Sequence, residues 1–309
     1  MADSLALHGV IPPLVTPLTE GGDLDETSLA RVVDEQIAAG VGGLFIGGST
    51  GEVALSTDEM RARAVEVAVA AAAGRVPVLA GVIDTGTLRV IRHTERAAAA
   101  GADAVVATPP FYIAPHPDEV TAHYRAIAEV GVPVVAYDIP SATHSPLPLS
   151  SLVTLAQEGT VVAFKDSSGD ITGFRRAVSA LDGTGIALFT GSELFADLAM
   201  QLGASGIVPG IGNVDPDGYV QIARLAAAGD IAGAAAEQER LIRLFRIVDV
   251  PDRSRIGFTA GALGSFKAAL WLRGVIDSPR TLTPLAPLID AEIDAIRAIL
   301  QDAGLATVR

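Results

Sequence analysis

Residues 77–108, PVLAGVIDTGTLRVIRHTERAAAAGADAVVAT, contain a unit whose repetition predicts the fold of the chain. The two ends of this stretch, 77–83 and 104–108, are short apolar runs typical of buried β-strands. Between them, residues 87–100 have apolar side chains at helical spacing and are followed by Gly101, a residue type common just after a helix. A strand, a helix and a second strand in this order predict neighbouring parallel strands.

The same alternation recurs along most of the chain. Eight strand–helix units within about 220 residues favour a closed (β/α)8 TIM barrel over an open doubly wound sheet. After Asp215 only helical patterns remain. We therefore expect an α/β protein with a (β/α)8 barrel catalytic domain at residues 1–225 and an all-helical C-terminal extension at 226–309. The eight predicted strands are residues 9–17, 43–48, 77–83, 104–108, 133–139, 161–165, 187–190 and 206–211.

The composition excludes several classes of partner. The 36 Asp and Glu residues outnumber the 22 Lys and Arg residues, and the resulting net charge of −14 argues against a nucleic-acid partner. The mean hydropathy is +0.42, but the charge-free stretch 198–214 contains four glycines, Pro209 and Asn213, so no membrane span is predicted. No secretory pattern begins the chain, so we expect a cytoplasmic enzyme. The absence of cysteine excludes disulfides, thiolate metal sites and cysteine nucleophiles.

Only two of the 22 basic residues are lysines, Lys165 and Lys267. Lys165 follows the apolar run 161–164 at the end of the sixth predicted strand, where barrel enzymes place catalytic groups. Partial burial there favours the neutral amine, which can attack a carbonyl and form an imine, whereas arginine stays protonated. The alternative is a structural lysine paired with Asp166. Lys267 is expected on a helix surface of the C-terminal extension.

Two other strand ends contain groups that suit imine chemistry. Tyr137 ends the fifth predicted strand, and a phenol beside an ammonium can act as acid or base; the alternative is a tyrosine at the edge of the core. Gly48-Ser49-Thr50-Gly51 predicts a tight turn whose hydroxyls and backbone N–H groups suit a carboxylate or a phosphate. Because no lysine follows this turn, it is not a Walker loop.

Metal and dinucleotide sites are not predicted. The histidines lack zinc-helix spacing, and we expect them mostly on the surface or in loops, with only His144 well placed near a strand end. Residues 203–212 are rich in glycine but lack the dinucleotide-binding pattern, so no cofactor is expected. The five histidines are His8, His93, His116, His123 and His144.

Three motifs at the strand ends resemble those of the dihydrodipicolinate synthase/N-acetylneuraminate lyase superfamily. They are Gly48-Ser-Thr-Gly-Glu52, Tyr137-Asp-Ile-Pro140 and Lys165-Asp-Ser-Ser-Gly-Asp170. With the Thr16-Pro17 opening and the helical extension, the resemblance covers essentially the whole chain. It implies a metal-free class I aldolase or lyase that binds pyruvate or another 2-keto acid as an imine on Lys165.

The resemblance also implies roles for individual residues. Tyr137 would transfer protons, Thr50 would link it to Tyr112, and Ser49 with Thr50 would hold the keto-acid carboxylate. Tyr112 is expected to reach into the site of a neighbouring subunit, within a homotetramer built as a dimer of dimers. The other residues expected to bind substrate are Gly48, Ser167, Gly191, Glu193, Val208, Asp138 and Thr143.

Departures from the family patterns bear on the substrate. Dihydrodipicolinate synthases usually have Ser-Arg-Thr after the tyrosine motif, and the arginine grips the carboxylate of aspartate semialdehyde; here residues 141–143 are Ser-Ala-Thr. Sialic acid lyases usually have Gly-Tyr-Asp-Glu after the seventh strand, where this chain has Gly-Ser-Glu at 191–193. Asp138 replaces the common Asn or His, and Pro209 stands at an often polar position.

The Ser-Ala-Thr run is more similar to 2-keto-3-deoxy sugar-acid aldolases. We therefore expect reversible cleavage of a 2-keto-3-deoxygluconate-like acid to pyruvate and an aldehyde. The alternatives within the superfamily are 4-hydroxy-tetrahydrodipicolinate synthase, N-acetylneuraminate lyase and a 2-keto-3-deoxy acid dehydratase. A phosphate-binding TIM-barrel enzyme without imine chemistry, or a non-catalytic barrel, would be an alternative of a different class.

Overall fold

The computed structural model describes residues 5–309, in which the predicted strands and helices alternate. All strand pairs are parallel, and the sheet order is β1-β8-β7-β6-β5-β4-β3-β2. The strands are β1 Gly9–Val10, β2 Leu44–Ile46, β3 Val78–Gly81, β4 Ala104–Ala107, β5 Val134–Asp138, β6 Ala163–Asp166, β7 Ala187–Thr190 and β8 Gly206–Ile207.

The segment that follows β1 closes the sheet into a barrel. Phe45 N donates to Pro12 O at 3.0 Å, and Leu14 N donates to Phe45 O at 2.8 Å. These bonds make the first and second strands neighbours, which confirms the predicted TIM barrel. The regular part of β1 is shorter than predicted because Pro12 and Pro13 have no N–H group to donate to a neighbouring strand.

Helices cover the outside of the barrel and form the C-terminal region. The first eight follow or lie between strands, and α9 completes the last strand–helix unit. The helices are α1 Glu26–Ala38, α2 Asp58–Ala72, α3 Thr87–Ala99, α4 Pro117–Ala128, α5 Pro140–Thr143, α6 Leu149–Gln157, α7 Ile171–Ala180, α8 Ala196–Gln201, α9 Pro216–Ala227, α10 Ile231–Phe245, α11 Phe258–Leu272 and α12 Asp290–Asp302, with 3-10 turns at Ile211–Asn213 and Arg246–Asp249.

Alternate strand residues fill two separate apolar layers. Phe45, Leu79 and Val135 point into the barrel and pack with one another in its interior. Their neighbours along the chain, such as Leu44 and Val134, point outward and pack against the helices. Because side chains alternate across a strand, the position of a residue along its strand decides whether it faces the barrel axis or the helical layer.

The C-terminal extension packs closely against the barrel. The predicted division after residue 225 falls inside α9, and α10 packs against α9 and α8. Lys267, expected on a helix surface, is instead fully buried on α11 and forms an ion pair with Glu52. The sequence prediction was wrong because nearly every residue of α11 is buried, so this helix has no polar face. Within residues 5–309, no helix has the length and apolar character needed to cross a membrane.

Candidate active site

Strand alternation brings Lys165 and Tyr137 into the barrel together. The two residues are paired in register on β6 and β5, and both side chains are buried. Lys165 Nζ lies 3.9 Å from the centre of the Tyr137 ring and 5.1 Å from that of Phe45. The amine therefore sits against aromatic faces at the carboxyl ends of the strands, partly shielded from water.

Lys165 is not paired with the neighbouring Asp166. Asp166 is the next residue on β6 and therefore points to the opposite side of the sheet. Its Oδ1 accepts a hydrogen bond from Ser168 N at 2.7 Å, and burial raises the pKa of its carboxyl. Across residues 5–309, no carboxylate forms an ion pair with Lys165. The alternative of a structural Lys165–Asp166 pair is thus not what the structure contains.

A cavity of about 490 Å³ opens at this end of the barrel. A volume of this size accommodates a small organic substrate. Eight of the predicted site residues line the cavity, and they come from the turn after β2 and from the ends of β5, β6, β7 and β8. They are Ser49, Thr50, Tyr137, Lys165, Ser167, Gly191, Glu193 and Val208.

The turn after β2 presents its two hydroxyl residues to the cavity. Gly51 N donates to Gly48 O at 3.0 Å, and Thr16 Oγ1 donates to Gly51 O at 2.7 Å. Gly48 itself does not line the cavity, but a Cβ atom there would lie 2.8 Å from the Phe45 ring. Because residue 48 is a glycine, the turn can pack closely against the Phe45 ring inside the barrel, and Ser49 and Thr50 then face the cavity.

Glu193 is the only carboxylate among the described residues that line the cavity. Its Oε1 accepts a hydrogen bond from Gly210 N at 2.9 Å, and its backbone carbonyl accepts one from Gln238 Nε2 at 2.7 Å. Burial raises the pKa of the carboxyl, while the positive charge of Lys165 acts in the opposite direction. Glu193 can therefore serve a substrate hydroxyl as a hydrogen-bond partner or exchange a proton with it.

Asp138 and Thr143 do not line the cavity. Asp138 is the outward neighbour of Tyr137, and its Oδ1 accepts a hydrogen bond from Leu147 N at 2.9 Å. Thr143 Oγ1 donates to Ile139 O at 3.1 Å and accepts from Ser145 N at 3.3 Å. Both side chains stabilise α5 and the residues that follow it, up to Leu147.

Burial raises the pKa of Asp138 to about 6, with a further contribution from the negative charge of Asp166. The Leu147 N–H group opposes this rise but does not cancel it. A carboxyl in this position bears a desolvation cost when it is ionised.

Tyr112 lies outside the cavity of its own chain. Its side chain is 95% exposed, and its backbone φ of 71° is in the left-handed region that non-glycine residues seldom adopt. Thr50 and Tyr112 are therefore not brought together within one chain. The role of Tyr112 in a neighbouring subunit stays a prediction.

The sequence analysis did not identify the contribution of the C-terminal extension to the site. The strand ends indicate only which βα loops surround the mouth of the barrel. Residues of α11 and the end of α10 also lie there, and they come from outside the strand–helix units. Ser141 and Ala142 of α5 also line the cavity, as do Phe245, Phe258, Thr259, Ala262, Leu263 and Phe266. Most of these residues are apolar, so this wall of the cavity can make van der Waals contacts with a ligand but no ionic ones.

Two histidines expected on the surface are buried. His93 Nε2 lies 3.0 Å from Asp84 Oδ2 and 3.2 Å from Arg61 Nη1. His123 donates from Nε2 to Thr108 O at 3.2 Å, and burial lowers its pKa to about 4. Both were misplaced because they lie on the inward faces of α3 and α4. Within residues 5–309, no group of three or more His, Asp or Glu side chains could hold a metal ion.

The closed barrel, with a buried lysine in the cavity at the carboxyl ends of its strands, defines an enzyme of the (β/α)8-barrel class. A model of the dihydrodipicolinate synthetase family matches residues 6–303, and the chain belongs to this family. It is therefore a lyase of the dihydrodipicolinate synthase/N-acetylneuraminate lyase superfamily, as the sequence motifs predicted.

The relatives fall within the same group of enzymes. An uncharacterized DapA-like lyase of Halobacterium salinarum is 36% identical over 304 residues, which cover 98% of this chain and 96% of the relative. A 4-hydroxy-tetrahydrodipicolinate synthase of Phenylobacterium zucineum is 34% identical over 300 residues, with 96% and 98% covered.

Solved structures show the same fold. The dihydrodipicolinate synthase of Bacteroides thetaiotaomicron superposes with a TM-score of 0.90 at 30% identity, over 97% of this chain and 99% of that one. YagE, a prophage protein of this family from E. coli K12 in complex with pyruvate, gives a TM-score of 0.89 at 27% identity, with 97% and 99% covered.

Proposed function

We propose that this protein is a class I lyase that cleaves a 2-keto-3-deoxy acid, similar to 2-keto-3-deoxygluconate, reversibly to pyruvate and an aldehyde. The observation on which the proposal depends is the environment of Lys165. Its amine lies in the cavity over the Tyr137 ring, free of any carboxylate partner in the described chain, and Ser49 and Thr50 line the same space. An amine in this setting is available to attack a keto group.

The residues that line the cavity can perform each step of such a cleavage. The Lys165 amine adds to the keto carbon, and loss of water forms the imine. A base then removes the proton of the substrate's C4 hydroxyl, the bond between C3 and C4 breaks, and its electron pair moves into the protonated imine to form an enamine. The Tyr137 phenol is the group in the cavity suited to move this proton. Protonation of the enamine and hydrolysis of the imine release pyruvate and restore Lys165.

The choice of a neutral aldehyde rests on the charges around the cavity. Lys165 is the only cationic residue among the described residues that line it, and Ala142 stands where a synthase would carry arginine. A second carboxylate on the substrate would therefore have no cationic side chain of its own, because the one cation of the lining is engaged in the imine with the keto group. Ser141, Ser192 and Glu193 can instead bind hydroxyl groups.

Borohydride trapping tests the imine directly. Incubation with pyruvate and borohydride should yield a stable reduced adduct, detected by intact-mass measurement and located by peptide mapping. Because the chain has only two lysines, mapping has to distinguish only Lys165, Lys267 and the α-amino group. Lys165→Arg should form no adduct. Absence of an adduct in the parent protein, or its persistence in Lys165→Arg, would contradict the proposal.

A comparison of substrates tests the aldehyde. Cleavage of 2-keto-3-deoxygluconate should exceed the condensation of pyruvate with aspartate semialdehyde. The second reaction is the competing candidate because several relatives are named 4-hydroxy-tetrahydrodipicolinate synthase. If aspartate semialdehyde is the better substrate while trapping at Lys165 succeeds, the imine chemistry stands and the choice of substrate is wrong.

We also propose that the protein works as a homotetramer in which Tyr112 completes the site of a neighbouring subunit. The support is its position, since a tyrosine that is 95% exposed and outside its own cavity is free to contact another chain. Sedimentation should give a tetramer, and Tyr112→Phe should slow turnover while trapping at Lys165 still occurs. A monomer with full activity would refute this part of the proposal.

A further inference from the structure

The second lysine of the chain is buried beside the turn that holds Ser49 and Thr50. Lys267 lies on α11 with a side chain that is 0% exposed, and its Nζ forms an ion pair with the equally buried Glu52. Nζ also donates to Arg280 O at 2.8 Å. Glu52 directly follows the turn at residues 48–51, so the ion pair joins this turn to the C-terminal extension.

Hydrogen bonds from the backbone and from one carboxylate oxygen hold Glu52 in place. Its N–H donates to Ser49 O at 3.1 Å, its carbonyl accepts from Ser56 N at 3.1 Å, and Oε2 accepts from Leu282 N at 2.5 Å. Its backbone φ of 60° lies in the left-handed region, where glycine would be unstrained. The carboxylate of this residue binds the Lys267 ammonium and the backbone N–H of Leu282.

The helix that contains Lys267 also forms the opposite wall of the cavity. Phe266, the residue before Lys267, lines the cavity together with Ala262 and Leu263, one turn earlier on α11. The same helix thus lines the substrate space with one side and, through Lys267, binds Glu52 directly after the turn at 48–51 with another. A shift of the Glu52–Lys267 pair would change the distance between the two walls.

We propose that Glu52 and Lys267 are positioning residues that hold the Ser49–Thr50 turn at the correct distance from Lys165, so that binding of the keto-acid carboxylate depends on a contact made by the C-terminal extension. This inference rests on the proposed function, since it takes the turn as the carboxylate site. It also explains why lysine occupies position 267. A compact ammonium fits a fully buried space with two acceptors, whereas a guanidinium has five N–H donors to satisfy.

The experiment compares Lys267→Met with a matched variant on the same helix end. Arg273, just after α11, forms an ion pair with Glu35 of α1 at 2.5 Å, which ties this region to the barrel away from the turn. In Lys267→Met, the pyruvate concentration that gives half-maximal borohydride trapping should rise about tenfold or more, while the trapped fraction at saturation stays complete. Arg273→Met should lose stability but keep the pyruvate dependence of the parent.

Hydrogen exchange provides a readout that does not need pyruvate. The backbone amides of residues 49–53 should exchange faster in Lys267→Met and stay as in the parent in Arg273→Met. If the parent traps no pyruvate, the proposed function fails, and exchange still decides whether Lys267 holds the turn. Unchanged exchange at 49–53 together with an unchanged pyruvate dependence in folded Lys267→Met would overturn the inference.

A second variant covers the case in which Lys267→Met does not fold. Removing one member of a buried ion pair leaves the other charge unpaired, whereas Glu52→Gln with Lys267→Met removes both. The double variant should fold and still show the weaker pyruvate dependence and the faster exchange at 49–53. If the double variant has the pyruvate dependence and the exchange rates of the parent, the pair does not position the turn, and this part of the proposal is refuted.

Discussion

Asp138→Asn should stabilise the protein at neutral pH, and the effect should shrink as the pH falls. Asp138 is 9% exposed, no cationic side chain of residues 5–309 pairs with it, and its pKa is raised by burial from 3.8 to about 6. A rise of this size makes the ionised carboxyl roughly 3 kcal/mol less favourable in the folded chain than in the unfolded chain. Asparagine keeps an oxygen to accept from Leu147 N but carries no charge.

The pH window follows from the direction of the shift. A carboxyl whose pKa is higher in the folded state takes up a proton on folding between pH 3.8 and about 6, so its cost is full above pH 6 and vanishes below 3.8. Urea unfolding at pH 7.5 and pH 5.2 should therefore show that the advantage of Asp138→Asn is larger at pH 7.5 by roughly 1 kcal/mol.

The control removes the same charge from an exposed position. Asp182→Asn should show little of this pH-dependent gain, because Asp182 is exposed on the turn after α7. An advantage of Asp138→Asn that is equal at both pH values, or a less stable Asn variant at pH 7.5, would refute the conclusion that Asp138 is desolvated.

Three further predictions concern the cavity. Tyr137→Phe should lower kcat by about 100-fold or more with trapping at Lys165 retained, and unchanged steady-state rates would remove Tyr137 from the proton transfer. Ala142→Arg should shift the ratio of kcat/KM toward aspartate semialdehyde by about tenfold, as measured with both aldehydes, because it adds a guanidinium to a cavity lined otherwise by a single cation. Gly191→Ala would place a Cβ atom 2.0 Å from Ser167 Oγ and 3.1 Å from Lys165 Cε, so the rate of imine trapping should fall about tenfold with the circular dichroism spectrum unchanged. Equal trapping rates would show that Lys165 tolerates a methyl group at 191.

Sequence reasoning predicted the part of the site that depends on local pattern. Lys165 and Tyr137 were identified from their places at the ends of apolar runs, and both line the cavity. Strand alternation could also have shown that Asp138 points away, since it adjoins an inward-facing residue on the same strand. Residues at the end of a strand thus divide between two faces, and only Tyr137 of this pair faces the cavity.

Other features could not be predicted from local pattern. Lys267 lies in a segment that is apolar on all sides, and its partner Glu52 comes from the far end of the chain. Periodicity indicates which face of a helix is buried but does not indicate which residue it meets. The burial of His93 and His123 is different, because it follows from their places on the inward faces of α3 and α4 and is therefore within reach of helical periodicity.

The sequence alone determined the order of strands and helices, the closed parallel barrel, the net negative charge and the strand ends that line the cavity. These properties depend on the period of apolar residues, on turn residues and on net charge, all of which can be read from neighbours in the chain. Only the tertiary structure decided which of these side chains share a cavity, that α11 forms one of its walls, and that Lys267 binds Glu52. Such contacts join residues that are distant in sequence, and they arise from the packing of whole elements rather than from any local pattern.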